Sequence, residues 1–111
     1  MKSATQKKFT VAGPAGRIEG VLADPGEGRR GIAVIAHPHP LFGGTMENKV
    51  VQTLARAFSD LGYVAARFNF RGVGGSEGSH DDGRGETEDA IAVAEFARRE
   101  HWGLPVLLAG F

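Results

Sequence analysis

The stretch GIAVIAHPHPLFGG, residues 31–44, decides the fold class of this chain. Its first six residues form a short continuous apolar run, which is typical of a strand covered on both faces of a parallel sheet. Two prolines then interrupt the pattern, and each of them stiffens the chain and removes a backbone N–H donor. We therefore predict a buried strand over residues 31–36 and a rigid loop over residues 37–44.

Helical and extended patterns alternate after this loop. Thr45 can cap a helix that ends near Gly62, where a left-handed residue is tolerated. The apolar positions of this helix share one stripe at helical spacing: Met46, Val50, Val51, Leu54, Phe58 and Leu61. The sequence then predicts a strand over residues 63–70, a second helix over residues 86–101 and a last strand over residues 106–109.

The second predicted helix carries charges of opposite sign at its two ends. Acidic residues lie at its start and basic residues near its end, which complements the helix dipole; these are Glu86, Glu88, Asp89, Arg98 and Arg99. We expect four residues to face inward: Ala90, Val93, Ala94 and Ala97.

Two further strands precede the apolar run. Residues 8–12 and 18–23 flank a Gly-Pro-Ala-Gly turn, so they predict an antiparallel hairpin. The order is then β-β followed by β-α-β-α-β, which implies parallel pairing and right-handed crossovers for the later strands. No repeat or linker divides the 111 residues, so we predict a single α/β domain.

Composition excludes several classes of protein. Thirteen basic and thirteen acidic residues give no net charge, so no basic field favours nucleic acid. Cysteine is absent, which excludes disulfides, a thiolate nucleophile and cysteine-based zinc sites. The N-terminal lysines lack the apolar run of a secretory signal, and no segment is long enough to cross a bilayer. We expect a cytoplasmic protein without a membrane partner.

Three segments are candidates for a site, because ligands of open parallel sheets bind beyond the carboxyl ends of the strands. The first is the loop after Ala36. In it, the backbone N–H of His39 or of Leu41 would form half of an oxyanion hole if it faced a reacting carbonyl. The alternative is a rigid connection whose histidines hydrogen-bond locally. His37 and His39 could also bind a metal ion, with His80, Asp81 and Asp82 as further ligands. Because no third ligand follows them closely in the sequence, we predict no metal site.

The second segment is the glycine-rich loop that begins at Arg71. It resembles a dinucleotide loop but has Glu77 where G-x-G-x-x-G requires a third glycine, and no helix follows directly. We therefore predict no cofactor. Gly72 and Gly74 are expected to make turns, while Arg71 and Ser76 tie the loop to neighbouring backbone.

The third segment is the end of the chain. An apolar strand runs into Gly110 and Phe111, which fit the first two positions of a G-x-S-x-G nucleophile elbow. The expected serine would come immediately after Phe111.

Together these segments resemble the α/β-hydrolase superfamily, and most closely small bacterial hydrolases related to dienelactone hydrolases and to the CocE/X-prolyl peptidase type. The resemblance covers nearly the whole chain. Its carriers are HPHPLFGGTMENKVVQTLARAF (residues 37–58), GYVAARFNFRGVGGSEG (62–78), GRGETEDA (83–90) and LLAGF (107–111). It implies the N-terminal portion of a hydrolase sheet that is incomplete at its C-terminus, with the third strand between the fourth and the fifth.

The resemblance also implies roles for individual residues. The loop of residues 37–44 corresponds to the oxyanion loop of the family, with Pro38 in place of the usual glycine and with Gly43 and Gly44 at its end. His39 aligns with the backbone donor, and Leu41 is the alternative. The second donor would be the residue after the serine.

The implied function is hydrolysis of an ester, thioester or amide bond of a small-molecule substrate by a serine mechanism in the full-length protein. The family's acid and histidine follow its serine, so residues 1–111 alone contain no triad and should have no activity. The alternatives are a non-catalytic hydrolase-like binding or structural domain and, far behind, a nucleotide-binding α/β domain. The isolated chain should self-associate, because its last strand exposes an apolar edge.

Overall fold

The computed structural model describes residues 4–39 and 44–110, which form a five-stranded sheet with two helices. The elements in chain order are β1 (Thr5–Gly13), β2 (Gly16–Asp24), β3 (Gly31–Ile35), α1 (Lys49–Asp60), β4 (Tyr63–Phe68), α2 (Arg84–Glu100) and β5 (Val106–Ala109). The predicted β-β, then β-α-β-α-β order is confirmed, and so is the fold class.

The strands lie in the order β1-β2-β4-β3-β5. β1 and β2 form the predicted antiparallel hairpin, in which Gly13 lies opposite Gly16 at the turn. β3 pairs in parallel with both β4 and β5, as the resemblance implied. One pairing was not predicted: β2 joins the parallel part of the sheet by running antiparallel to β4, with Gly20 opposite Phe68.

The helices cover opposite faces of the sheet. On one face, Val93 and Ala97 of α2 pack with Ile32 and Val34 of β3. On the other face, Val51 and Ala55 of α1 pack with Ile35 of β3. β3 is therefore buried on both sides, which explains why its sequence is apolar without alternation.

The N-cap of the first helix lies three residues later than predicted. Asn48, not Thr45, is the N-cap, and its side-chain oxygen accepts hydrogen bonds from the N–H groups of Val50 and Val51 at 2.8 and 3.4 Å. Thr45 instead accepts a bond from the N–H of Glu47. Thr and Asn are both favourable caps, so their types alone did not distinguish the two positions.

The buried face of α1 also differs from the predicted stripe. Val50 and Leu61 are 48% and 57% exposed, whereas Val51, Ala55 and Ser59 are buried. The buried positions are four residues apart and become small towards the end of the helix, so its last turns can lie close to the sheet. Met46 is buried but precedes the helix.

The second helix begins at Arg84, two residues before its predicted start. Val93 and Ala97 are buried as expected, while Ala90 and Ala94 are only partly buried. Asp89, one of the acids predicted at the start of the helix, has a completely buried side chain. Within the described residues, neither helix is long and apolar enough to span a membrane.

Candidate active site

The carboxyl ends of β3, β4 and β5 meet at one edge of the sheet. The N–H of Ala36 donates to the carbonyl of Ala109 at 2.8 Å, which joins the ends of β3 and β5. Gly110 follows directly, and a Cβ built on it would lie 3.3 Å from the Cβ of Ala36. The described end of the chain therefore lies beside the residue that precedes His37.

A cavity of about 590 Å³ opens at this edge. Residues from the loop after β3, the loop after β4, the start of α2 and strand β5 line it, and they include His37, Pro38, His39, Phe70, His80 and Leu108. A second cleft, of about 580 Å³, lies between the β1–β2 hairpin and the start of α1. The first cavity is lined by Leu108 of β5 and by residues 37–39 of the loop that follows β3, whereas none of these residues lines the second.

His37 is a buried link between the ends of β3 and β4. Its Nε2 accepts a hydrogen bond from the N–H of Phe70 at 3.0 Å, and its Nδ1 lies 2.7 Å from the carbonyl oxygen of Pro38. A backbone N–H only donates, so Nε2 must be unprotonated and Nδ1 must carry the proton that Pro38 accepts. Burial lowers the pKa of His37 below its ordinary value, and the bond to Pro38 opposes this shift in part.

The loop after His37 closes tightly on itself. The N–H of Gly44 donates to the carbonyl of His39 at 3.2 Å, and a Cβ on Gly44 would overlap the carbonyl group of Pro38. Glycine is therefore required at this position for steric reasons. Leu41 and Gly43 of the predicted oxyanion loop lie outside the described residues, as does Phe111 of the predicted elbow.

His80 lines the same cavity and contacts this loop. Its ring centroid is 4.6 Å from that of His39, which is itself exposed. The Nδ1 atom of His80 lies 3.0 Å from a carboxylate oxygen of Glu86, and its Nε2 lies 3.3 Å from one of Asp82. Both ring nitrogens are buried, although neither contact has the alignment of a good hydrogen bond.

Glu86 organises the turn that precedes α2. Its two carboxylate oxygens accept hydrogen bonds from the N–H groups of Asp81 and Gly83, at 2.9 and 3.0 Å. Burial acts most strongly on Glu86 and alone would raise its pKa, but the backbone N–H groups and nearby His80 together lower the pKa below its ordinary value. Glu86 is therefore held as a carboxylate at the wall of the cavity.

The glycine-rich loop is fastened to β2. The hydroxyl of Ser76 donates to the carbonyl of Asn69 at 2.7 Å and accepts from the N–H of Glu19 at 3.0 Å. The carboxylate of Glu19 in turn accepts from the Asn69 side chain and from the N–H of Gly75. Ser76 is buried in this network, so its hydroxyl has a structural partner on each side.

The two glycines that were predicted to make turns in this loop adopt backbone angles that other residues rarely take. Gly72 and Gly74 have φ values of +78° and +53°. In addition, a Cβ on Gly74 would approach the side chains of Asn69 and Glu19 to 2.6 Å. The turns that bring the loop back to β2 therefore depend on glycine.

Arg71 connects the same loop to α2. Its guanidinium pairs with the buried carboxylate of Asp89 at 2.9 Å and donates to the carbonyl of Gly85 at 2.9 Å. The backbone N–H of Arg71 donates to Asp89 as well, also at 2.9 Å. Asp89 thus holds both the main chain and the side chain of the residue that begins the loop.

Sequence reasoning missed the partners in these networks. Glu19, Asn69 and Asp89 were not singled out as site residues, because a lone acid or amide carries no signal of a distant partner. The sequence offered one indirect signal: the backbone N–H groups of a glycine-rich loop must find hydrogen-bond acceptors elsewhere in the protein. Among residues 4–39 and 44–110, no three His, Asp or Glu side chains are grouped so as to hold a metal ion.

The sheet order, the opposed helices and the edge where the strand ends meet define the N-terminal part of an α/β-hydrolase fold. The whole chain superposes on an α/β serine hydrolase homologue from Coxiella burnetii, with 46% sequence identity and a TM-score of 0.88. It superposes equally well, with a TM-score of 0.88 and 38% identity, on a serine hydrolase without a lid from Xanthomonas campestris. These similarities confirm the predicted resemblance to the α/β-hydrolase superfamily.

The chain corresponds to only part of each relative. It covers 54% of the Coxiella protein and 52% of the Xanthomonas protein. An uncharacterised protein from Rickettsia prowazekii is 46% identical over 89 residues, which are 80% of this chain and 37% of that protein. No model of a protein family matches the sequence. The narrower resemblance to dienelactone hydrolases and the CocE/X-prolyl peptidase type stays a prediction.

Proposed function

We propose that this chain is the N-terminal part of a serine hydrolase that cleaves an ester, thioester or amide bond of a small molecule. The observation that carries the proposal is the hydrogen bond from the N–H of Ala36 to the carbonyl of Ala109, which joins the ends of β3 and β5 at 2.8 Å. It brings the end of β5, where an elbow would begin, next to the loop that starts at His37. A nucleophile and a group of backbone donors at adjacent strand ends are what acyl transfer requires.

In the proposed mechanism a serine directly after Phe111 attacks the substrate carbonyl, and a histidine supplied by a later part of the full-length protein removes its proton. The backbone N–H of His39, or of Leu41, stabilises the resulting oxyanion, together with the N–H of the residue after the serine. His37 is unsuited to act as the base, because its Nε2 already accepts the N–H of Phe70.

Two similar proteins support the reaction class: the Coxiella protein is an α/β serine hydrolase homologue, and the Xanthomonas protein is an α/β serine hydrolase without a lid. The chain spans only about half of their length. Residues 1–111 contain no acid and histidine that follow the expected serine, so we expect no turnover from this chain alone. A cytoplasmic location is part of the same proposal, and fractionation of source cells would test it.

The second candidate is a non-catalytic binding or structural domain. It is favoured if the full-length protein lacks serine after Phe111. The intact mass of the protein purified from its source, with sequencing of its C-terminal peptides, gives the identity of that residue.

A fluorophosphonate probe then tests catalysis. We expect the full-length protein to be labelled at the serine, and the chain of residues 1–111 and a full-length variant with alanine in place of the serine to remain unlabelled. A different residue at that position, or a folded full-length protein that the probe does not label there, would overturn the proposal.

A further inference from the structure

Both ring nitrogens of His37 are engaged by backbone groups. The N–H of Phe70 donates to Nε2 at 3.0 Å, so this nitrogen holds a lone pair, and the ring proton lies on Nδ1, which donates to the carbonyl of Pro38 at 2.7 Å. His37 is only 4% exposed, and burial lowers its pKa, which favours the neutral ring that this pattern requires. His37 therefore has one bond to the residues after β4 and another to its own loop.

The bond to Pro38 fixes the direction of a peptide group. The peptide between Pro38 and His39 is trans, so the carbonyl of Pro38 and the N–H of His39 point in opposite directions. The carbonyl is directed at the buried ring of His37, and the N–H is therefore directed away from that ring. All three residues line the cavity at the strand ends.

The next peptide group of the loop is held as well. The carbonyl of His39 accepts a hydrogen bond from the N–H of Gly44 at 3.2 Å. The two peptide groups that meet at His39 are thus each fixed by one hydrogen bond. A backbone donor that is oriented before the substrate binds needs no reorganisation when negative charge develops on the substrate.

We propose that His37 is a positioning residue that orients the peptide between Pro38 and His39, and that this makes the N–H of His39, rather than that of Leu41, the oxyanion donor of this loop. The inference rests on the proposed function for its catalytic consequence, because an oxyanion forms only if the full-length protein carries out acyl transfer. The bond from Phe70 has a different part: it anchors the ring without touching the donor peptide.

Two substitutions separate the two bonds of His37. The amide nitrogen of asparagine can take the place of Nδ1 and donate to Pro38, but His37→Asn leaves the N–H of Phe70 without its acceptor. The amide oxygen of glutamine can take the place of Nε2 and accept from Phe70, but His37→Gln leaves the carbonyl of Pro38 without its donor. Each variant therefore keeps the bond that the other loses.

Activity and stability should rank the two variants in opposite orders. In the full-length protein we expect kcat to fall about a hundredfold in His37→Gln, as for the loss of one oxyanion donor, with little change in KM, and to fall only a few-fold in His37→Asn. The urea midpoint should fall further in His37→Asn, because a buried N–H without an acceptor is costly. Values of kcat that follow the urea midpoint, or that are equal in the two variants, would overturn the positioning role.

NMR of the full-length protein at pH 7.5 measures the orientation without catalysis. Long-range 1H–15N spectra should show the ring proton of His37 on Nδ1. A carbonyl 13C resonance moves upfield when the carbonyl loses a hydrogen bond, so that of Pro38 should move upfield in His37→Gln and stay near its wild-type position in His37→Asn. A ring proton on Nε2, or a Pro38 resonance that does not move in His37→Gln, would overturn the inference.

The fluorophosphonate adduct tests the choice of donor. Its phosphonyl oxygen occupies the place where the oxyanion forms, so the N–H that donates to it should move downfield in the proton spectrum. We expect this shift for the amide of His39 in the wild type and a smaller shift in His37→Gln. A downfield shift of the Leu41 amide in place of that of His39 would overturn the assignment.

The two proposals fail in different ways. A folded full-length protein whose serine is not labelled rejects the hydrolase and the donor role of His39, and the Pro38 resonance still decides whether His37 orients the peptide. A labelled serine, in a protein whose Pro38 resonance does not respond to His37→Gln, retains the hydrolase and rejects the positioning role.

Discussion

The Nε2 atom of His37 accepts a hydrogen bond from the backbone N–H of Phe70 across 3.0 Å. This bond joins the residues that follow two neighbouring strands, β3 and β4, and an edge contact between their rings, with centroids 4.8 Å apart, accompanies it. The link exists only while His37 is neutral, because a protonated Nε2 has no lone pair with which to accept.

The first prediction concerns acid. Since the pKa of His37 is lowered in the folded protein, the unfolded chain binds its proton at a higher pH, near the ordinary value of 6.5. The stability that His37 contributes is therefore present above pH 6.5 and is lost as pH falls through the folded-state pKa. We expect the free energy of unfolding in urea to decline from pH 7.5 to 5.5, and to decline less in His37→Gln.

Because the wild type and His37→Gln share the other three histidines, their contributions to the pH dependence cancel in the comparison. A pH dependence that is equally steep in His37→Gln and in the wild type would contradict the assignment of His37 as a neutral link.

The second prediction concerns the buried ion pair of Arg71 and Asp89. Asp89→Ala leaves the guanidinium and the backbone N–H of Arg71 without their acceptor, and removal of one partner of a buried pair costs about 3–5 kcal/mol. Asp89→Asn should cost less, because an amide oxygen still accepts one bond. Urea denaturation of each variant gives the loss.

The matched control is Asp24→Ala, which breaks the partly exposed pair with Arg29. We expect a much smaller loss there, because solvent screens this pair. Similar losses of unfolding free energy in Asp24→Ala and Asp89→Ala would show that the buried pair of Asp89 and Arg71 stabilises the protein no more than the partly exposed pair does.

The third prediction concerns Gly85 in the first turn of α2. Alanine normally favours a helix over glycine by up to about 1 kcal/mol, but a Cβ at this position would overlap the guanidinium of Arg71. We therefore expect Gly85→Ala to destabilise the protein by about 1–3 kcal/mol, the usual range for overpacking. In an Arg71→Ala background the same substitution should become neutral or stabilising.

This double-mutant cycle separates a steric conflict with Arg71 from a general intolerance at Gly85. If the cost of Gly85→Ala is the same with and without Arg71, the conflict is not the cause.

The fourth prediction concerns association through β5, which we propose for this chain. Within the described residues β5 pairs only with β3, and Leu108 on it is 67% exposed. An unpaired apolar edge favours pairing with a second chain, and a lysine there opposes it. We expect sedimentation velocity to show concentration-dependent association of the wild type and its reduction in Leu108→Lys.

Trp102 provides the control, since it is 86% exposed but lies outside the strands. Trp102→Lys should leave the association unchanged if the edge is responsible. A monomeric wild type at all concentrations, or equal effects of the two substitutions, would contradict the proposal.

The order and type of the elements were predictable because apolar runs and glycine or proline breaks mark them in the sequence. The exact ends were not. β4 was predicted to reach Phe70 but ends at Phe68: the N–H of Asn69 still donates to the backbone carbonyl of Glu19 on β2, whereas the N–H of Phe70 donates to the side chain of His37. Such competition between partners depends on tertiary contacts that an isolated segment does not contain.

The candidate site was predictable in its location but not in its networks. The rule that ligands bind beyond the carboxyl ends of parallel strands pointed to the edge where the ends of β3 and β5 lie side by side. The acceptor of the Gly75 N–H, however, is Glu19, which lies 56 residues away in the chain. Neither residue type nor local spacing encodes a partner at that distance.

The position of β3 also affects how the protein is made. Both partners of β3, β4 and β5, follow it in the chain, so a polypeptide that emerges from its N-terminus carries this apolar strand before either partner exists. The β1–β2 hairpin is the one part of the described sheet that closes between adjacent segments. On the ribosome, β3 therefore lacks its first partner until β4 has been made and its second until β5 has followed. Apolar strands exposed in this way favour aggregation of a nascent chain, which chaperones counteract.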